Sequence, residues 1–214
     1  MANRSKDNPI VYVVDDEVDV REGLKDLFES VGLEAQVFGS AAEFLSKKLP
    51  DEVSCLILDV RLRGVSGLDF QAELAARQIR IPIIFITAYG DIPMSVKAMK
   101  AGAVEFLTKP VREQDLLDAV RAALDRDRLR REYDQETQDL RTRFEGLSTR
   151  ERQIMTLVTS GLMNKQIAGE IGVSEVTVKV HRHNVMKKLG AKSLADLVRI
   201  ADLLGVSRKR SRVL

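Results

Sequence analysis

Two hydrophobic rhythms alternate along the first 124 residues. Short apolar, largely β-branched runs at Ile10 to Val14, Ala35 to Phe38, Cys55 to Leu58, Ile83 to Ile86 and Glu105 to Leu107 read as strands. Between and after them, the stretches Val18 to Val31, Ser40 to Leu49, Leu68 to Arg77, Pro93 to Ala101 and Glu113 to Leu124 repeat their apolar positions at helical spacing. Leu24, Leu27, Phe28 and Val31 show the pattern in the first of these. Five β/α units follow one another. An α/β fold is predicted, with a parallel sheet covered by helices on both faces and ligand chemistry at the carboxyl ends of the strands.

Those ends carry a coherent set of residues. Strand one runs into Asp15 and Asp16, strand three into Asp59, strand four into Thr87, and strand five into Lys109 followed by Pro110. A single aspartate after a strand is ordinarily a turn residue or a helix cap. Several carboxylates on one rim, however, cannot all stay ionised without a compensating cation, and a hard divalent ion such as Mg²⁺ takes oxygen ligands of this kind. Phosphoryl-transfer chemistry then gives each group a role. Asp59, alone on the central strand, is the nucleophile that becomes an aspartyl phosphate. Lys109 pairs with a phosphoryl oxygen, Thr87 hydrogen-bonds to it, and Pro110 fixes the turn of the lysine, a cis bond being one means. Ala88 is small enough to leave the phosphoryl group room. Phe106, an aromatic within a strand, reads on its own as plain core.

The pattern changes after residue 124. Residues 125–145 lack Gly and Pro and alternate charges densely, which reads as a helical linker continuing the fifth helix. Leu117, Leu124, Tyr133, Leu140 and Phe144 form a sparse apolar series along it, a weak seam for a second copy. Ser148 and Glu151 then form a capping box that opens a helix carrying Ile154, Leu157 and Val158 on one face. Asn164 begins a short helix, Gly172 and Val173 turn the chain, and Ser174 begins a longer one, SEVTVKVHRHNVMKKLG. This is the helix-turn-helix arrangement, in which the second helix enters the major groove of DNA. A fourth helix, Leu194 to Leu204, closes an all-α unit.

On the longer helix, Val178, His181, Val185 and Leu189 recur on the predicted core side. Lys179, Val180, His183 and Lys187 lie opposite. Lys179 suits a guanine, Val180 a thymine methyl and His183 a base or phosphate. Lys165, Thr177, Arg182 and Lys188 suit phosphate contacts, which set affinity more than sequence choice.

Charge sharpens this division. Across all 214 residues the net charge is only +2, yet residues 1–124 hold 15 Lys+Arg against 20 Asp+Glu, whereas residues 146–214 hold 13 against 5. Only the C-terminal part is suited to a polyanion. No apolar run reaches the roughly 20 residues of a bilayer span, and the start MANRSKDNP lacks a signal-peptide core, so the chain is expected in the cytoplasm without membrane insertion. Its single cysteine, Cys55, lies in an apolar run and reads as a small buried hydrophobe.

The stretches VVDDE, ILDVRLRGVSGLDF and FITAYGDIPMSVKAMKAGAVEFLTKP resemble the receiver domain of two-component response regulators over roughly residues 8–124. The segment LSTRERQIMTLV with GLMNKQIAGEIGVSEVTVKVHRHNVMKKLGAKSLADLVRIA resembles the LuxR-type DNA-binding domain. Together they make the chain similar to NarL/FixJ-family regulators, closest to the FixJ, NodW and StyR group. The resemblance implies a CheY-like (βα)5 receiver at 8–124, a helical linker at 125–143, a four-helix LuxR-type domain at 144–206 and a disordered basic tail at 207–214. It implies phosphorylation of Asp59 by a cognate sensor histidine kinase, and Mg²⁺ held by Asp15, Asp16, Asp59 and the backbone carbonyl of Arg61. It makes Thr87 and Phe106 a switch pair, and sets Arg61 and Tyr89 beside the site. It further implies a homodimer formed on phosphorylation through the fourth helix and fifth strand, promoter DNA as the target, and RNA polymerase as a partner in transcription. The chain departs from the family's usual R-M-P-G at Arg61, Leu62, Arg63 and Gly64, and has Val111 where an aromatic often follows Lys-Pro. Two alternatives stand beside this reading. One is a Mg²⁺-dependent phosphohydrolase, for which Arg61 occupies the place of the required acid/base; the other is a DNA-binding protein that ignores phosphate.

Overall fold

The computed structural model describes residues 8–206. The expected basic tail, residues 207–214, lies outside the described residues. The chain divides into two compact units between Arg131 and Glu132.

The first unit is a five-stranded parallel sheet in the order β2-β1-β3-β4-β5. Its strands are β1 (Ile10–Val14), β2 (Glu34–Phe38), β3 (Ser54–Asp59), β4 (Ile83–Thr87) and β5 (Glu105–Thr108), each within one or two residues of the run that predicted it. Side chains alternate across the sheet because a strand has a two-residue period. Ile10, Tyr12, Val14, Leu56, Leu58 and Phe85 enter one core with Phe44 of α2 (Ala41–Ser46), Phe70 and Leu74 of α3 (Gly67–Ala76), and Ala98 of α4 (Ile92–Lys100). Val11, Val13, Cys55, Ile57, Ile84 and Ile86 enter the other with Phe28 of α1 (Val18–Ser30) and with Leu116, Val120 and Ala123 of α5 (Glu113–Glu145). Burial pushes the Cys55 thiol well above its ordinary pKa, so it behaves as the apolar filler expected of it.

The connections are fixed by local chemistry. Ser40 caps α2 by accepting from the Glu43 N–H, and Asp91 caps α4 by accepting from the Met94 N–H at 2.7 Å. Gly67 has a stricter task. A Cβ there would sit 2.3 Å from the Asp59 carbonyl oxygen, so only glycine lets the start of α3 approach the end of β3.

Helix α5 runs on past residue 124, as a helical linker requires, but its further turns are not a bare spacer. Asp127 is buried and accepts from the Ser54 N–H at 3.1 Å and from the Arg130 and Arg131 guanidinium groups, tying the helix to the first residue of β3. Leu117 and Leu124 pack into the sheet's core, and Leu140 and Phe144 into the core of the second unit. Four of the five residues read as a seam are thus used within the chain.

The second unit gathers α6 (Thr149–Thr159), α7 (Asn164–Ile171), α8 (Glu175–Leu189) and α9 (Leu194–Leu203) around Ile154, Val158, Ile167, Val178, Val185, Leu189 and Leu197. The predicted capping box is present: Ser148 accepts from the Glu151 N–H, and Glu151 accepts from the Ser148 N–H at 2.8 Å. Gly172 turns α7 into α8 with φ at 66°, a conformation that favours glycine.

Candidate functional site

Sheet register brings the carboxyl ends of the strands together. Val14 lies opposite Leu58, Asp59 opposite Ile86, and Thr87 opposite Thr108. The residues just beyond or at these positions therefore share one rim. The crevice lies between β1 and β3, where the order of strand addition reverses.

Lys109 joins the two sides. Its Nζ donates to Asp15 Oδ2 at 2.8 Å and to Asp59 Oδ2 at 2.9 Å, and lies 3.9 Å from Glu17 Oε1. The remaining oxygens are oriented by backbone: Asp15 Oδ1 accepts from the Glu17 N–H and Asp59 Oδ1 from the Arg61 N–H, both at 2.9 Å. Burial works against the charged form of Lys109, but its hydrogen bonds to Asp15 and Asp59 prevail and hold its pKa above the ordinary lysine value. The Lys109–Pro110 peptide is cis.

The acids of the turn after β1 face two ways. Carboxylate oxygens of Asp15, Glu17 and Asp59 all lie within 4.8 Å of one another. Asp16 instead accepts from Arg63 Nε at 3.0 Å, at the exposed edge. Glu17 thus stands with the two aspartates of the cluster, next to the expected ligand Asp16. Its signal was available, since it is the third acid of VVDDE. These hard, anionic oxygens fit a small divalent cation such as Mg²⁺, because one lysine leaves the cluster with surplus negative charge.

Around this cluster, Thr87 is fully buried at the end of β4, with its Oγ1 accepting from the Tyr89 N–H at 3.3 Å. Ala88 is exposed beside it. Phe106 is half-buried, tilted against Phe85 with ring centroids 6.0 Å apart. A Cβ on Gly90 would meet Phe106 and Thr108 at 2.9 Å and the Thr87 methyl at 3.4 Å. Phe106, Thr108 and Thr87 thus crowd Gly90 so closely that a side chain there would have to displace them, a role sequence reading did not foresee. Arg61 stacks its guanidinium 4.0 Å above the Tyr89 ring, so the two flanking residues meet.

The second unit carries the other candidate surface. Val178, Val185 and Leu189 of α8 are buried and His181 is half-buried, while Lys179, Val180, His183 and Lys187 are exposed, as helical spacing required. Lys165 is exposed on α7. Thr177 shares a hydroxyl contact with the N-cap Ser174 at 2.8 Å, and Arg182 donates to Asn164 Oδ1 at 3.2 Å. Lys188 has a partner of a different kind: its Nζ donates at 2.7 Å to Glu151 Oε2. The Lys188 hydrogen bond, helped by the Ser148 cap, holds the buried Glu151 carboxyl below the usual glutamate value. Lys188 thereby links α8 to α6. Val176 lies on the exposed side of α8, a position that sequence reading passed over.

Comparison with known proteins agrees with both halves. Residues 11–121 match the response regulator receiver domain family, and residues 145–201 match bacterial regulatory proteins of the luxR family. The chain is 59% identical over 198 residues to Nodulation protein W of Bradyrhizobium diazoefficiens, spanning 92% of this chain and 87% of that protein. It is 48% identical over 195 residues to Response regulator protein TodT of Pseudomonas putida, spanning 91% and 86%. Among solved structures, response regulator StyR matches with a TM-score of 0.79 at 51% identity, over 91% of this chain and 98% of that one. Full-length FixJ from B. japonicum matches with a TM-score of 0.55 at 37% identity, over 93% and 98%. No helix among the described residues is long and apolar enough to cross a membrane.

Proposed function

This chain belongs to the NarL/FixJ-type response regulators, transcription regulators that join a receiver to a LuxR-type DNA-binding domain, and from that premise we propose how its two sites work. The observation that carries the reading is the convergence of Asp15, Glu17, Asp59 and Lys109 on one rim.

A carboxylate oxygen of Asp59 attacks the phosphorus of a phosphohistidine on a sensor kinase. The new bond is P–O, the bond broken is P–N, and its electron pair returns to the imidazole. Arg61 N–H holds one Asp59 oxygen in place, and Lys109 turns from the carboxylates toward a phosphoryl oxygen. Asp15, Asp16 and Asp59 with the Arg61 carbonyl would hold Mg²⁺, with Glu17 beside them, and the ion would supply charge neutralisation for the oxygens of the incoming group. Thr87 donates its hydroxyl to the phosphoryl group, and Phe106, already packed against Gly90, repacks as Thr87 shifts.

Dimerisation follows on α4, where Ile92, Val96 and Met99 expose an apolar stripe at helical spacing. The paired chains bind promoter DNA in the cytoplasm and engage RNA polymerase. In the DNA-binding unit α8 enters the major groove with Lys179, Val180, His183 and Lys187, while Lys165, Thr177 and Arg182 meet phosphates. Lys188 serves chiefly to hold Glu151. The chain is not a metabolic enzyme: a hydrolase would need an acid/base where Arg61 stands, and a guanidinium does not give up its proton near neutral pH, so dephosphorylation is slow.

The test is retention of a promoter library by the full chain and by Asp59→Ala, with and without Mg²⁺ and acetyl phosphate, with sedimentation in parallel. Dimers and tighter specific binding that need all three of Asp59, Mg²⁺ and phosphodonor support the reading. Binding and oligomeric state that ignore them refute it.

A further inference from the structure

Most cations around the acid rim are already committed. Lys109 is held by Asp15 and Asp59, the Arg61 guanidinium lies over the Tyr89 ring, and Arg21 donates to the Asp15 carbonyl at 2.6 Å. Arg63 is placed differently. It lies in the loop after β3, which is closed by a bridge between Arg61 and Ser66, anchored in the core by Leu62 and turned at Gly64 with φ at 89°. From this turn its Nε donates to Asp16 Oδ2 at 3.0 Å, across 47 residues of sequence.

The pair is unequal. The Arg63 side chain is 86% exposed, whereas that of Asp16 is only 20% exposed. A carboxylate largely shielded from water needs a counter-charge, and Arg63 supplies it. With Asp16 turned to Arg63, the carboxylate oxygens that lie within 4.8 Å of one another are those of Asp15, Glu17 and Asp59, and Asp16 is not among them. Where the family's usual R-M-P-G sets a neutral proline, this chain sets a guanidinium.

We propose that Arg63 is a positioning residue that acts through Asp16 as an internal rival of Mg²⁺. It holds the Asp16 carboxylate at the edge of the rim, and metal binding must exchange the guanidinium for the ion. The proposal rests on the reading of the rim as a Mg²⁺ site and deepens it, because the exchange sets the Mg²⁺ concentration at which the rim is complete. Its consequence has a definite sign: loss of Arg63 removes a contact from the folded chain, yet strengthens the metal site. The opposite sign has a geometry of its own, in which one Asp16 oxygen holds Arg63 while the other takes the ion, and loss of Arg63 then weakens metal binding.

In the experiment the full chain, Arg63→Ala, Asp16→Asn and the double variant are titrated with MnCl2, the free ion being read by electron paramagnetic resonance, and bound Mn²⁺ is then displaced by Mg²⁺. Arg63→Ala is expected to raise the Mg²⁺ affinity about fivefold, the upper end for an exposed ion pair. Its thermal transition without added metal stays with that of the parent. In the Asp16→Asn background, Arg63→Ala is expected to change nothing. Added KCl narrows the gap between the parent and Arg63→Ala, because the pair is screened at its exposed end. Unchanged or lower affinity for Arg63→Ala overturns the proposal, as does an equal gain in the Asp16→Asn background, which makes the effect one of distant charge. If Mn²⁺ binding ignores Asp15→Ala, the rim is not the metal site, and the reading beneath the proposal falls with it.

Discussion

The acid site and helix α8 are built in opposite ways. The acid site draws Asp15, Asp59 and Lys109 from the ends of three strands, up to 94 residues apart, and hides its aspartates. The exposed face of α8 comes from one helix of 15 residues and is open to water. Convergence gives strong, coupled electrostatics and makes each part depend on the others. Local display gives separable side chains that can be exchanged singly without loss of fold.

Asp59→Ala tests this most severely. Incorporation of phosphate from acetyl phosphate should vanish completely, measured by phosphate-affinity electrophoresis, because among the described residues no carboxylate but Asp59 accepts from both the Arg61 N–H and Lys109. An equal stoichiometry of labelling in the variant would break the assignment.

Next comes Gly67→Ala. Its Cβ would meet the Asp59 carbonyl at 2.3 Å, backbone against backbone, so the strand end must move. A loss of about 3 kcal/mol is expected in urea unfolding of the first transition, with weaker phosphorylation as a consequence. A similar methyl added at Gly169, which has open space around it, should cost nothing comparable.

On α8 the expected effects are smaller and separable. Lys179→Ala should weaken specific DNA binding by about 1–3 kcal/mol and relax base preference at one position, read by competition binding, without altering thermal stability. A fall in melting temperature with unchanged preference would show Lys179 to be structural.

The smallest effect belongs to Glu151. Its folded carboxyl is more acidic than the ordinary value of 4.5, so it binds its proton less readily folded than unfolded. That contribution to stability is complete above pH 4.5 and is lost as pH falls through the lowered folded value. Glu151→Gln should cost about 1 kcal/mol at neutral pH and should flatten the acid limb of stability against pH. An unchanged acid limb would mean that the Lys188 contact contributes little.

Much of this was legible in the sequence. The strand runs, the order of β/α units, the acid and lysine at strand ends, the Ser148–Glu151 capping box and the two faces of α8 all follow from periods of two and 3.6 residues and from local hydrogen bonding. These are short-range rules, and they constrain neighbours along the chain. Loop acids escape them. Asp16 and Glu17 are adjacent in the same turn, yet one meets Arg63 and the other the cluster around Lys109.

Amino-acid order alone determined the alternation that makes the sheet, the residue types on its rim and the charged division between the two units. Only tertiary structure decided that Glu17 stands with Asp15 and Asp59, that Asp127 anchors β3, that Lys188 holds Glu151, and that Phe106 and Thr108 press against Gly90. The physical reason is the same in each case. A side chain's partner across a long loop is chosen by the packing of distant backbone segments, and periodicity along the chain carries no record of that choice.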